Sequence, residues 1–227
     1  MQITIDTSTE FASVALVRGQ DIIAELTWHC GQNHTIELYP RLAFLIAKSG
    51  LDVGSADCIF VAKGPGSFNG LRVGVSAAKG LAFSLSVPII GIGTLEGTAY
   101  QHSETGLPVC CIQNAGREEI AAAIYQNKRK NGWYQIKAEH ITTVKALAQD
   151  IKEQTVFCGE ISPSIAGQIK KLFKSKAVIP AQAAQLRRAS YLAELGQQRL
   201  NAGDFDDPAT LQPMYLRRPP ITERKKA

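Results

Sequence analysis

The chain has 227 residues, 45% of them hydrophobic and 20% charged, which excludes a disordered, collagen-like or coiled-coil chain and leaves room for one large domain or two smaller ones. A formal net charge of +5 is compatible with an anionic partner, but much of the basic character is local: Lys128, Arg129 and Lys130 in one turn, and Arg217, Arg218, Arg224, Lys225 and Lys226 near the end. The longest apolar stretch, 80–93, is interrupted by Ser84, Ser86 and Pro88, and MQITIDTS lacks a cationic start, so neither a membrane segment nor a signal peptide is expected and the protein reads as cytoplasmic.

In chain order, 1–23 alternates apolar runs with polar turns and predicts a meander of antiparallel strands. His34 opens a helix with Ile36, Leu38, Leu42, Leu45 and Ile46 at helical spacing, closing at Ser49-Gly50. ADCIFVAK (56–63) has the character of a buried strand, and the glycine-rich turn 64–70 feeds a second helix to about Leu85. Pro88 starts another strand. Three strands, a helix, a strand, a helix and a strand form the plan of a ribonuclease H-like mixed sheet.

The second half repeats that plan. Strands are expected at 107–112, 119–126 and 133–137, a helix at 143–152, a strand at 155–158, a helix from Ser162 to Lys174, a short strand at 177–180, and a long helix at about 185–200. The implied organisation is a first half over 1–102 and a second over 103–218, the long helix being free to pack back on the first half. Prolines 208, 213, 219 and 220 argue for extended or disordered chain after Asn201, with a basic tail at 219–227.

The cysteines Cys30, Cys58, Cys110, Cys111 and Cys158 show no CxxC spacing and read as reduced, mostly buried small hydrophobes. His29, His34, His102 and His140 form no HxxxH or HExxH pair, and no nucleophile elbow is present, so neither a metal site nor a catalytic residue is expected. Asp6, Thr7, Ser8 and Thr9 sit at the first turn, where an acid and hydroxyls can hold a metal-bound water or phosphate; the alternative is a self-bonded Asx or Ser/Thr turn. The turn 64–70 lacks Walker and GxGxxG spacing, leaving either an anion site at a helix N-terminus or glycines that permit close approach. The second helix, apolar nearly all round, is expected either to be buried or to pack on a partner helix.

ITIDTSTEFASVALV, His34 with LYP, VAKGPGSFNGLRVGVSAAKGLAFSLSVPIIGIGTLE and the late QPMYLRRP together resemble the TsaB family, also called YeaZ, over residues 1 to about 218. The resemblance implies an α/β fold of two ribonuclease H-like half-domains of the actin-like ATPase superfamily, each a mixed sheet with flanking helices. It implies lost catalysis, no metal and no cofactor of its own. The expected partners are a TsaD-type catalytic subunit and a TsaE-type ATPase, with tRNA engaged through the complex. Together they would pass threonylcarbamoyl to the adenosine next to the anticodon of tRNAs reading ANN codons. The pairing surface would be the two N-terminal helices, here His34, Leu38, Leu42, Leu45, Leu71, Val75, Ala78 and Leu81, which would also form a homodimer of the isolated chain. Whether ATP or ADP is held at that interface stays open. Where members commonly carry an acid and an arginine, this chain has Asn114 and Gly116, which puts any role of those positions in doubt; Asn69 replaces a usual threonine. The competing readings are a stand-alone ATP-dependent phosphotransferase or peptidase-like enzyme using Asp6, Thr7 and the 64–70 turn, and a chain that binds tRNA directly through its basic tail.

Overall fold

A computed structural model describes residues 1–128, 130 and 132–217, so Arg129 of the basic turn and the expected 219–227 tail lie outside the described residues. In the first half, strands β1 (Gln2–Asp6), β2 (Phe11–Arg18) and β3 (Asp21–His29) are antiparallel neighbours. Helix α1 (His34–Lys48) leads to β4 (Cys58–Gly64), and α2 (Phe68–Leu85) to β5 (Ile89–Gly93), both strands joining parallel to β1 in the order β3-β2-β1-β4-β5. A short helix α3 (Thr94–Tyr100) closes this half.

The second sheet has the same order, β8-β7-β6-β9-β10, from β6 (Val109–Gly116), β7 (Glu119–Lys128), β8 (Gly132–Thr142), β9 (Thr155–Gly159) and β10 (Ala177–Val178). Helix α4 (Pro163–Phe173) lies between the last two strands and α5 (Ala189–Asn201) follows them. Each half is therefore a ribonuclease H-like mixed sheet, and the fold is a duplication of it.

Strand alternation gives each sheet two buried faces. Ile3, Ile5, Val14, Leu16, Ile59 and Val61 pack outward under Leu38, Leu42 and Leu45 of α1 and Val75, Ala78 and Ala82 of α2. The opposite face, with Ala15, Val17, Phe60, Ile90 and Ile92, is covered by Ala189, Leu192 and Leu195 of α5, which comes from the other half. Reciprocally, α3 of the first half sets Leu95 and Ala99 on Cys111, Ala123, Tyr125 and Val156 of the second sheet. The last helix of each half thus covers the sheet of the other. The two helices cross in contact, with Gly97 of α3 against Leu192 of α5.

Several elements differ from the sequence expectation. Helix α3 has no counterpart in the sequence pattern, because TLEGTAY contains two threonines and a glycine of low helix propensity; burial between the sheets decides its state. The expected helix at 143–152 is only a 3-10 turn, Ala146–Gln149, whose Leu147 and flanking Val144 and Ile151 plug the outer core, with Asp150 held by Lys137 at 2.6 Å. Strand β8 runs to Thr142 instead of stopping near Lys137, and α5 starts at Ala189 after a 3-10 turn at Gln182–Gln185. Up to Arg217, the segment after α5 is irregular but anchored: Leu211 is buried, the Met214 amide donates to the Lys63 carbonyl at 2.6 Å, and Asp206 accepts from the Gly91 amide at 2.8 Å.

Candidate functional site

The first turn follows β1, the central strand of its sheet, and meets the glycine-rich turn that enters α2. Asp6 ends β1 with 2% of its surface exposed. Its Oδ1 accepts from the Ser8 amide at 2.9 Å and from the Ser8 hydroxyl, an Asx turn. Its Oδ2 accepts from Arg187 Nη2 at 2.7 Å and Nε at 3.1 Å. Burial works against the guanidinium's charge, but the Asp6 carboxylate more than offsets it, and the Arg187 pKa rises above its ordinary value. Thr7 Oγ1 donates to the Gly70 carbonyl at 2.7 Å, and the Ser67 amide donates to the Ser8 carbonyl at 2.7 Å. Ser67 caps α2 by accepting from the Gly70 amide at 3.3 Å. A Cβ on Gly70 would collide with the Thr7 carbonyl and one on Gly74 with the Thr7 hydroxyl. The glycines thus permit close approach, and the groups read as alternative phosphate ligands are bonded to one another within the chain.

Beside this turn an inter-half cleft of about 1040 Å³ is lined by Thr9, Glu10, Gln113, Asn114, Glu160 and Arg187 among others. The Asn114 amide donates to Glu160 Oε2 at 2.9 Å, and its own Oδ1 caps Gly116 at 2.9 Å. Gly116 has φ +72°, a conformation that favours glycine, so the departure at this position suits the turn.

The expected pairing surface requires correction. His34, Leu38, Leu42, Leu45, Leu71, Val75 and Ala78 are buried and Leu81 is half-buried; they form the outer core of the first half. His34 Nε2 donates to the Thr9 carbonyl at 2.8 Å. The physical reason is that the strongest apolar stripe of each helix packs on its own sheet. The solvent side of the same two helices carries a second apolar set: Ile36 (69% exposed), Tyr39 and Phe44 on α1, and Phe68 and Phe83 (85% exposed) on α2, with exposed Ser76 and Gly80 along α2. The signal for this set is present in the sequence as Ile36, Tyr39 and Phe44 on α1, overshadowed by the leucines.

The described part of the chain brings no three His, Cys, Asp or Glu side chains together as a metal site. His102 is buried, which lowers its pKa below the ordinary value of 6.5. All five cysteines are free and buried; burial pushes the Cys58 thiol up to about 12, so it behaves as a hydrophobe. Among the described residues no helix is long and apolar enough to cross a membrane.

Fold and site together define a duplicated ribonuclease H-like protein whose first turn is closed by Asp6–Ser8 hydrogen bonds and pinned by the Asp6–Arg187 ion pair. A model of the family described as "TsaD: tRNA N6-adenosine threonylcarbamoyltransferase" matches residues 28–223. The tRNA threonylcarbamoyladenosine biosynthesis protein TsaB of Bacillus subtilis is 31% identical over 219 residues, covering 95% of this chain and 93% of its own. TsaB of Haemophilus influenzae is 28% identical over 228 residues, with 95% and 92% covered. The solved structure of YeaZ from Pseudomonas aeruginosa superposes with a TM-score of 0.79 at 21% identity, over 94% of this chain and 99% of that one, a likeness of fold. The chain belongs to the TsaB (YeaZ) family.

Proposed function

We propose that this chain is a non-catalytic subunit that binds and supports a TsaD-type catalytic subunit, joined by a TsaE-type ATPase, in forming N6-threonylcarbamoyladenosine next to the anticodon of tRNAs reading ANN codons. Family membership supplies the pathway. The observation that carries the partner role is the apolar solvent side of α1 and α2, where Ile36, Tyr39, Phe44 and Phe83 stand exposed on two neighbouring helices. Two helices with an apolar outer face and small residues between are suited to pack on a matching helix pair. The self-bonded Asp6 turn supports a subunit that contributes contacts instead of chemistry.

Size-exclusion chromatography with light scattering, on the chain alone and mixed with its TsaD-type partner, tests this. Phe83→Glu and Tyr39→Glu are expected to abolish the mixed complex with an unchanged unfolding midpoint, since both side chains are exposed. Val75→Glu, which places a charge in the core, is expected to unfold the chain. A complex indifferent to the exposed substitutions, or ATP turnover by the chain alone, would overturn the reading.

A further inference from the structure

Besides the basic turn and tail, the chain carries a third concentration of positive charge. Residues 151–176 carry Lys152, Lys170, Lys171, Lys174 and Lys176 against Glu153 and Glu160, so five positive and two negative groups give this stretch a net charge of +3. The fold gathers them. Lys170 and Lys171 occupy the last turn of α4, Lys174 and Lys176 the 3-10 turn that follows it, and the Lys176 ammonium donates to the Lys152 carbonyl at 2.8 Å, joining the loop before β9 to the same end of the helix. All five lysines are exposed. The ion pairs found among the described residues engage none of them, whereas Lys137 is taken by Asp150 and Arg217 by Glu119. Glu160 is bonded to the Asn114 amide at the cleft, leaving Glu153 as the stretch's other acid.

Part of this has a structural explanation. Cations in the last turn of a helix are favoured by its dipole. That accounts for Lys170 and Lys171. It does not account for Lys152, Lys174 and Lys176, which lie outside the helix and add like-charge repulsion at the same spot. A cluster of unpaired ammonium groups on a rigid helix end is the footprint of a polyanion whose charges are spaced along a backbone, and lysine meets phosphate as a point charge without reading sequence.

Resting on the proposed role in tRNA modification, we infer that the α4 end of the second half is an RNA-backbone contact surface. It holds phosphates of the tRNA through Lys152, Lys170, Lys171, Lys174 and Lys176. The surface is sequence-independent and positions the RNA; base recognition lies elsewhere.

The test is filter binding of a labelled tRNA transcript to the full chain between 50 and 300 mM KCl, roughly the range over which phosphate contacts are lost. Lys170→Gln/Lys171→Gln is compared with a charge-matched control, Arg18→Gln/Lys48→Gln, taken from exposed positions of the first half. Glutamine keeps helix propensity, so both proteins should fold. The expected result is roughly tenfold weaker binding for the α4 variant and a salt slope shallower by about 2, one per lost phosphate contact, with the control near wild type. Equal losses in both variants would reduce the effect to net charge and overturn the inference. So would no retention of RNA at the lowest salt, or a Lys170/Lys171 effect seen only on phosphatidylserine vesicles. Chromatography of the same variants with the TsaD-type subunit separates the two levels. A complex that forms normally without α4-dependent RNA binding sinks this inference alone, and a complex that fails to form with wild-type chain sinks the functional reading.

Discussion

At Asp6 both carboxylate oxygens are occupied, one by Ser8 and one by Arg187, and the pair lies almost entirely out of water. A buried pair costs most when only one partner is removed. Arg187→Met is therefore expected to lower the unfolding free energy by about 3–5 kcal/mol, and Asp6→Asn combined with Arg187→Met by clearly less than the sum of the single changes, in a urea-unfolding double-mutant cycle. His102 gives a pH signature. Burial depresses its pKa, so the folded state keeps the ring neutral while the unfolded chain takes up a proton near pH 6.5. The unfolded state then binds more protons, so this contribution is fully present above pH 6.5 and is lost as the pH falls towards the folded pKa. The slope is limited to about 1.4 kcal/mol per pH unit for one proton. Urea midpoints measured from pH 7.5 to 5.5 should fall, and His102→Gln should flatten the lower part of the curve.

Within α2 the glycines have opposite meanings. Gly70 lies on the Thr7 carbonyl, so Gly70→Ala must push the helix off the first turn, with an expected loss of about 1–3 kcal/mol. Gly80 faces open space where a Cβ would stand, so Gly80→Ala should stabilise the isolated chain by about 0.8–1 kcal/mol through helix propensity. Thermal unfolding of the two variants should move in opposite directions. The same helix shows what is legible in the sequence. Its boundaries, the strand before it and the order of strands in both halves follow from apolar periodicity and turn residues. Which side of α1 and α2 faces the sheet does not, because Ile36, Tyr39 and Phe44 compete with Leu38, Leu42 and Leu45 for the same reading. Helix α3 escapes the pattern because only its enclosure between two sheets makes TLEGTAY helical. The Asp6 partner is illegible for another reason: Arg187 is 181 residues away, and no local pattern encodes such a contact.

Across the whole molecule the exchanged helices make the two sheets energetically one body. Leu192 of α5 touches Gly97 of α3 and completes the core of the first half, so Leu192→Ala should cost about 2–5 kcal/mol and lower the stability of both halves together. Trp28 reports on the first sheet, and Trp133, on β8 of the second, packs on the cores of both halves. Fluorescence of Trp28→Phe and Trp133→Phe variants should give transitions that coincide, and calorimetric and van't Hoff enthalpies should agree. Two separate transitions would show that the halves unfold independently.

The exchange also sets a timetable for synthesis. When a ribosome has delivered β1 to β5, the sheet can form, but Ala15, Val17, Phe60, Ile90 and Ile92 have no cover until 189–201 emerge. The nascent first half must carry a bare apolar face from the completion of β5 until α5 has been made. Such transiently exposed apolar surface is prone to aggregate, so maturation of the first half waits on synthesis of α5.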